Sequence, residues 1–386
     1  MDRPDRPDRH TRRTTDGRPP LSDLKVIDVS TVIAGPTAAR YLADFGADVI
    51  KVERPGTGDG VRDMGWRDPA DGVTLWWKLV SRNKRCIALD LKDPDDHALF
   101  LRLCADADVL IENFRPGTLE RLDLAPERLW ELAPNLVITR VTGFGQDGPY
   151  AQRPGFASIA EAMSGFVAIN GDEDGAPLLP PIALTDEVTG LAAAFATMVA
   201  VHAGVGQVVD VNLLESVFQM MGPLISAYRT EGYLQPRLGA GIPYSVPRGT
   251  YRCNDGSWVA VTASSDTVAP RVMSLLGVGD DPRFATFQGR VDHRAEIDAL
   301  LSEWIAARSP DEVMAEFEAA HAAVGPVMTM ADIDADPHYR ARGAITEVDG
   351  VAMQGLIARL SATPGRIDWA GRPLDADGDD IRRAVS

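Results

Sequence analysis

Residues 24–53 read LKVIDVSTVIAGPTAARYLADFGADVIKVE. VIDVS is rich in β-branched side chains, which suit a pleated strand. PTAARYLADFG follows as a helical stretch with Leu42 and Phe45 on one side, and VIKVE is a second strand-like run. Strand, helix and strand within about 30 residues have the size of one βαβ unit. The theme recurs downstream. RCIALDL and DDHALFLRLCADA, then DVLIENF, then ERLWELAP and NLVITRVTGFG alternate in the same way. Such alternation predicts an α/β fold with a parallel sheet covered by helices on both faces.

Farther on, EVTGLAAAFATMVAVHAG predicts a helix ending at Gly204, a suitable residue just past a helix C-terminus. QVVDVNLLESVFQMM predicts a strand and then a helix. Residues 229–250 lose periodicity and hold several Pro, Gly and Arg, which marks a connection between domains. GTYRCNDGSWVAVTA predicts a hairpin turning at Asn254-Asp255-Gly256. Amphipathic helices are expected near 266–276 and 294–307, with a capped helix from Ser309.

Composition narrows the function classes. The chain has 386 residues, 45% hydrophobic and 25% charged, ordinary for a soluble globular protein of two or three domains. Its formal net charge of -17 repels nucleic acid and anionic lipid, so any phosphate site must be a local basic cluster. No apolar run is expected to reach the roughly 18 residues of a membrane span, and the N-terminus shows no secretory apolar core. Residues 1–20, MDRPDRPDRHTRRTTDGRPP, carry no apolar residue after Met1 and are expected to be a disordered, solvated tail. Cys86, Cys104 and Cys253 are too few and too scattered for a disulfide framework, which points to the reducing cytoplasm. No two of the six histidines lie within a helical turn, so no local metal-ligand pair is expected.

Three motifs carry candidate chemistry. Gly143-x-Gly145-x-x-Gly148 matches a dinucleotide fingerprint, but Pro149 and AQRPG follow where a helix must begin, which favours a plain loop. Basic residues gather around strand-like runs: Lys51 and Arg54, Arg62 after a Gly-rich loop, Arg82 to Arg85 before the third run, Lys92 just after it, and Arg115 and Arg121. Ligands of open α/β sheets bind beyond the carboxyl ends of strands, so these cations suit a phosphorylated ligand, with solvated loop charge as the plainer reading. Asp186 stands at the start of the helix EVTGLAAAFATMV. It reads either as an N-cap or as a carboxylate nucleophile favoured by the helix dipole.

Taken in order, several segments resemble class III CoA-transferases, the family of formyl-CoA transferase, carnitine CoA-transferases and α-methylacyl-CoA racemase. They are VIDVSTVIAGPTAARYLADFGADVIKVERPGTGD, NKRCIALDLK, VLIENFRPGTLERL, ITRVTGFGQDGPY, LTDEVTGLAAAFA, GQVVDVNLLESV and VGPVMTMADIDADPHYRARG, spanning about residues 21 to 365. The resemblance implies that Asp186 is the covalent nucleophile. It implies CoA contacts at Val32, Ala34, Arg54, Leu89, Lys92, Asn113, Phe114 and Arg121. It implies a Rossmann-like large domain with a parallel sheet, built from 21–228 and 326–386, and a smaller α+β domain with its linkers at 229–325. It also implies an interlocked homodimer, acyl-CoA and carboxylic acids as substrates, and no permanently bound cofactor. Oxalate and formyl-CoA are not expected as substrates, because Thr142 and Phe144 replace a lysine and a tyrosine and a glycine run is missing.

The racemase branch of the family carries a Gly-His-Asp motif. Here the matching residues are Gly155-Phe156-Ala157, and phenylalanine cannot transfer a proton. Transfer is therefore preferred to racemisation, with His202 or Glu161 as conceivable substitutes for the missing histidine. A non-catalytic CoA-binding protein is the third reading, against which the aspartate at position 186 argues.

Overall fold

The computed structural model describes residues 17–385. Most of the tail expected to be disordered, residues 1–16, lies outside the described residues. Of its last four, Pro19 is held, its carbonyl accepting from Ser22 N at 3.2 Å.

The chain forms two compact units. Among the described residues the first comprises 17–164, 180–220 and 340–385, and the second 165–179 and 221–339. These divisions differ from the sequence boundaries at 228 and 326. The segments 165–179, 221–228 and 326–339 fall in the second unit, because local periodicity does not show which core a segment packs against.

The first unit holds a six-stranded, all-parallel sheet in the order β3-β2-β1-β4-β5-β6. The strands are β1 (Lys25–Asp28), β2 (Asp48–Glu53), β3 (Lys84–Ala88), β4 (Val109–Glu112), β5 (Val137–Thr142) and β6 (Gln207–Asn212). Strand neighbours point to opposite faces. Val26, Val49, Ile111 and Val137 pack beneath α1 (Ala34–Asp44). Ile27, Ile50, Ile87, Leu110 and Ile138 pack against Leu99, Phe100 and Leu103 of α2 (Pro94–Asp106). Both faces are therefore apolar, which explains the continuous hydrophobic runs in the sequence. The strand order reverses between β1 and β4, and such a switch point opens a crevice at the carboxyl ends.

Three further helices frame that end: α3 (Ala157–Met163), α4 (Leu184–Ala203) and α5 (Leu213–Gln219). Gly204 follows α4 in the left-handed conformation, φ 72°, the role its position suggests. The expectation that no apolar run nears membrane-span length is corrected here. By length and composition α4 is apolar enough to cross a bilayer. Its small residues Gly190, Ala193, Ala194 and Thr197 are nonetheless buried.

The second unit contains the expected hairpin, β7 (Arg248–Arg252) against β8 (Trp258–Thr262), with β9 (Ala323–Pro326) added antiparallel. Its helices include α6 (Ala269–Leu275), α7 (Arg294–Ala306) and α8 (Pro310–Ala319), the last with a full Ser309–Glu312 capping box. The core gathers Val259, Val261, Ile297, Leu301 and Phe317. Its one fully buried guanidinium, Arg290, donates to the carbonyl of Ser264 at 3.0 Å and to Asp266 at 2.9 Å.

Candidate active site

The loop after β1 lies at the switch point. Asn113, just past β4, clamps it: its side-chain oxygen accepts from Thr31 N at 2.8 Å and its amide donates to the Thr31 carbonyl at 2.7 Å. Val32 follows with φ 70°, a left-handed conformation costly for a β-branched residue. Its N–H donates to Asp59 at 2.9 Å, and its side chain is exposed. Ala34 opens α1 and is buried. Gly35 leaves no room for a larger residue, since a Cβ there would stand 2.4 Å from Ser30 Cβ.

The other residues implied as CoA contacts also follow strand ends. Arg54 is exposed just beyond β2, Leu89 is buried beyond β3, and Lys92 is exposed three residues later. Phe114 follows β4, its N–H donating to Glu112 at 2.6 Å. Burial pushes the Glu112 carboxyl up to about 7 even though Arg140 bonds it. Arg121 is exposed, and its guanidinium donates to Thr118. All eight residues thus lie beyond the carboxyl ends of β1 to β4.

Several of the other basic residues do not serve as free cations. Lys51 and Lys84 are fully buried. Lys84 reaches Asp28 at 2.8 Å and the Pro36 carbonyl at 2.7 Å; Lys51 reaches Asp59 at 3.1 Å and also donates to the Ser30 carbonyl. Arg82 pairs with Asp44, and Arg62 with Glu53 at 2.7 Å. Of these, Lys51 and Lys84 hold the segment after β1, through the Ser30 and Pro36 carbonyls. Strand sequence alone could not reveal this, because it does not show which acid faces which base.

Asp186 is not the cap of α4. The helix starts at Leu184 with Ala183 as cap and no side-chain cap bond, which places Asp186 third in the first turn. One turn on, α4 meets α1: a Cβ on Gly190 would stand 2.6 Å from Thr37 Cγ2 and 2.9 Å from the Ala34 carbonyl. The aspartate therefore sits one helical turn from the contact with the loop-bearing helix. Burial pushes its carboxyl up to about 6, and the charges of Glu161 and Glu187 add to the rise.

Two acids flank it. Glu187 is paired with Arg40 at 3.0 Å. Glu161 of α3 is buried and accepts from the Thr185 hydroxyl at 2.7 Å. The sequence offered Glu161 only as a substitute base, and its bond to the residue beside Asp186 needs the fold to be seen. A cavity of about 1050 Å³ opens beside the same turn, lined by Arg40, Trp66, Trp76, Ile182, Leu184 and Glu187.

The glycine loop is a turn, as its sequence suggests: after Gly148 the next helix is α3, which begins at Ala157. Two of its N–H groups are engaged, Gly145 with Thr142 at 2.9 Å and Gln146 with Asp210 at 2.9 Å. Those two are therefore not oxyanion donors; in the first turn of α4, Leu184 N is likewise engaged, by the Ile182 carbonyl at 2.8 Å. Phe156 precedes α3 with 72% of its surface exposed. Among the described residues no cluster of His, Cys, Asp and Glu could hold a metal.

The chain matches the family described as CoA-transferase family III over residues 21–378. It is 41% identical over 367 residues to a succinyl-CoA–D-citramalate CoA-transferase of Chloroflexus aurantiacus, covering 92% of this chain and 91% of that protein. It is 34% identical over 337 residues to the human succinyl-CoA:glutarate CoA-transferase, covering 86% of this chain and 76% of the human one. A CAIB/BAIF family protein of Brucella suis superposes with a TM-score of 0.85 at 32% identity, covering 96% of this chain and all (100%) of that one. A hypothetical protein of Mycobacterium tuberculosis superposes with a TM-score of 0.83 at 25% identity, covering 95% and 99% of the two chains. The chain belongs to CoA-transferase family III and is an enzyme that moves CoA from an acyl-CoA donor to a carboxylic acid.

Proposed function

We propose that the enzyme takes CoA from succinyl-CoA and passes it to a second dicarboxylic or hydroxydicarboxylic acid, with Asp186 as covalent nucleophile. The donor and acceptor class follows the relatives named for succinyl-CoA with citramalate, malate or glutarate. The observation that carries the nucleophile is the position of Asp186, a desolvated carboxylate one turn from the contact between α4 and α1.

The Asp186 carboxylate attacks the thioester carbonyl, breaking its C–S bond and releasing CoA thiolate with a mixed anhydride left on the enzyme. The thiolate attacks the aspartyl carbonyl, forming an Asp186–CoA thioester and releasing succinate. The acceptor carboxylate repeats the two steps in reverse and leaves as its CoA thioester. Val32, Ala34, Leu89, Asn113 and Phe114 line the CoA path in this reading. Arg54, Lys92 and Arg121 supply the exposed cations that an otherwise acidic chain needs for phosphate.

In the same reading the enzyme is a homodimer, the interlocked form included. On α4 the side chains Leu191, Phe195 and Val199 recur every four residues and are 45%, 71% and 54% exposed, an apolar stripe suited to cover by a second copy.

The test pairs succinyl-CoA with a panel of dicarboxylates and monocarboxylates, with mass spectrometry of the quenched enzyme. A CoA adduct on Asp186 and a loss of at least roughly 10³-fold in kcat for Asp186→Asn are expected. Full transfer by Asp186→Asn would overturn the nucleophile. A preference for monocarboxylates would overturn the substrate class.

A further inference from the structure

Resting on the reading of Asp186 as nucleophile, we propose that Glu161 is a positioning and tuning residue, whose carboxylate disfavours the free Asp186 carboxylate and so favours the acylated states of the enzyme. Glu161 sits on α3 with 4% of its surface exposed. Its Oε1 accepts from Thr185 Oγ1 at 2.7 Å, so it is pinned to the residue that precedes the nucleophile. A buried carboxylate bonded by a neutral hydroxyl to the residue next to the nucleophile, with its charge acting on Asp186, is an unusual arrangement for packing alone.

The surrounding charges leave this pair uncompensated. On α1, Arg40 is committed to Glu187, and Tyr41 lies against Arg40. Arg140 of β5 is bound by Glu112 and Glu120, and Asp210 of β6 accepts from Gln146 N. Asp44, at the far end of α1, is paired with Arg82. Glu215 of α5 is a further acid, on a helix packed against α4. The charges that act on Asp186 are those of Glu161 and, beside it in sequence, Glu187.

The consequence for the reaction follows from charge counting. Free Asp186 carries a negative charge, whereas the mixed anhydride and the CoA thioester on the same oxygen or carbon carry none. Like-charge repulsion from Glu161 is present only in the free enzyme and is relieved on acylation. It makes the carboxylate more basic, hence a better nucleophile, and shifts the equilibrium between free enzyme and enzyme–CoA thioester toward the adduct. A device of this kind suits a carboxylate that must attack a thioester and yet not be left as a trapped, over-stable anion.

The decisive variant is Glu161→Gln, which keeps the side-chain size and the oxygen that Thr185 bonds. Two quantities are measured with succinyl-CoA: the acid limb of kcat/KM against pH, and the fraction of enzyme carrying CoA on Asp186 in the half-reaction. In Glu161→Gln the acid limb is expected to move down by roughly 0.5–1 pH unit, and the adduct to free enzyme ratio to fall about 3- to 10-fold. Glu161→Asp, which restores the charge, is expected to return both toward wild type. If Glu161→Gln does not fold, Thr185→Val, which releases Glu161 from its hydroxyl, should move both quantities in the same direction by less. An unmoved acid limb and adduct ratio in the variant that folds, even with lower activity, overturns the tuning role and leaves a structural one. Failure of the underlying reading is seen separately: the wild type then forms no adduct on Asp186, or Asp186→Asn turns over, and the tuning role falls with it.

Discussion

Asp28 and Asp186 are the same side chain in two opposite settings. Asp28, at the end of β1, is fully buried, with Lys84 at 2.8 Å, Lys51 at 3.9 Å and Ser30 N donating at 3.1 Å. Burial would push its carboxyl up, but the Lys51 and Lys84 ammoniums outweigh that and hold it below the ordinary value. Asp186 is less buried and has no cation; burial, Glu161 and Glu187 all act in one direction, upward. The contrast separates two uses of a buried charge. A compensated carboxylate fixes structure, here the loop after β1, whereas an uncompensated one keeps free energy available for chemistry.

The largest effect should come from breaking the compensated site. Lys84→Met leaves Asp28 with Lys51 alone, and loss of one partner of a buried pair costs about 3–5 kcal/mol. Urea unfolding should show that loss, and the double variant Lys84→Met with Asp28→Asn should recover a good part of it. Because the folded Asp28 carboxyl lies below its ordinary value, its contribution is present above that value and is lost as pH falls through the folded one. Equal stability of Lys84→Met and wild type would show that the ion pair does not support the fold.

The opposite sign is expected at Asp186. Its carboxyl is raised from 3.8 to about 6, so its contribution to stability is fully present below 3.8 and is lost as pH rises through about 6. Asp186→Asn has no such loss. Relative to wild type it should gain about 1–2 kcal/mol between pH 4 and pH 8, a figure reduced for partial solvent screening, while transfer activity disappears. Denaturant midpoints at the two pH values give the difference. An identical gap at both would mean that Asp186 is not held against its own charge.

The sequence reveals these two sites unequally. The βαβ rhythm of residues 24–53 was enough to expect the parallel sheet, because strands buried on both faces must be apolar along their whole length. Order along the chain also placed the eight implied CoA contacts beyond strand ends, where the fold has them. The sequence did not show that Lys51, Arg82 and Lys84 are spent on Asp59, Asp44 and Asp28, since those partners lie on a loop, a helix and another strand. Nor did it show that Asp186 stands in the third helical position, because Ala183, Leu184 and Thr185 carry no start signal strong enough to fix the helix boundary. The cap reading failed for that reason.

The smallest effects should fall on the exposed cations. Arg54 and Arg121 stand in solvent beyond β2 and β4. If they meet the phosphates of CoA, their attraction is screened, so Arg54→Ala or Arg121→Ala should raise KM for succinyl-CoA only about 3- to 10-fold, with kcat little changed. The effect should shrink as salt rises from 0.05 to about 0.5 M, because the Debye length falls below the distance over which a loop cation reaches a phosphate. Substitution of Lys51 belongs to the other class: it should lower stability at every salt concentration, because a fully buried pair is poorly screened. A salt-independent KM for Arg54→Ala would remove that residue from the phosphate site and place it with the structural cations, and the boundary between the two kinds of charge would have to be redrawn at β2.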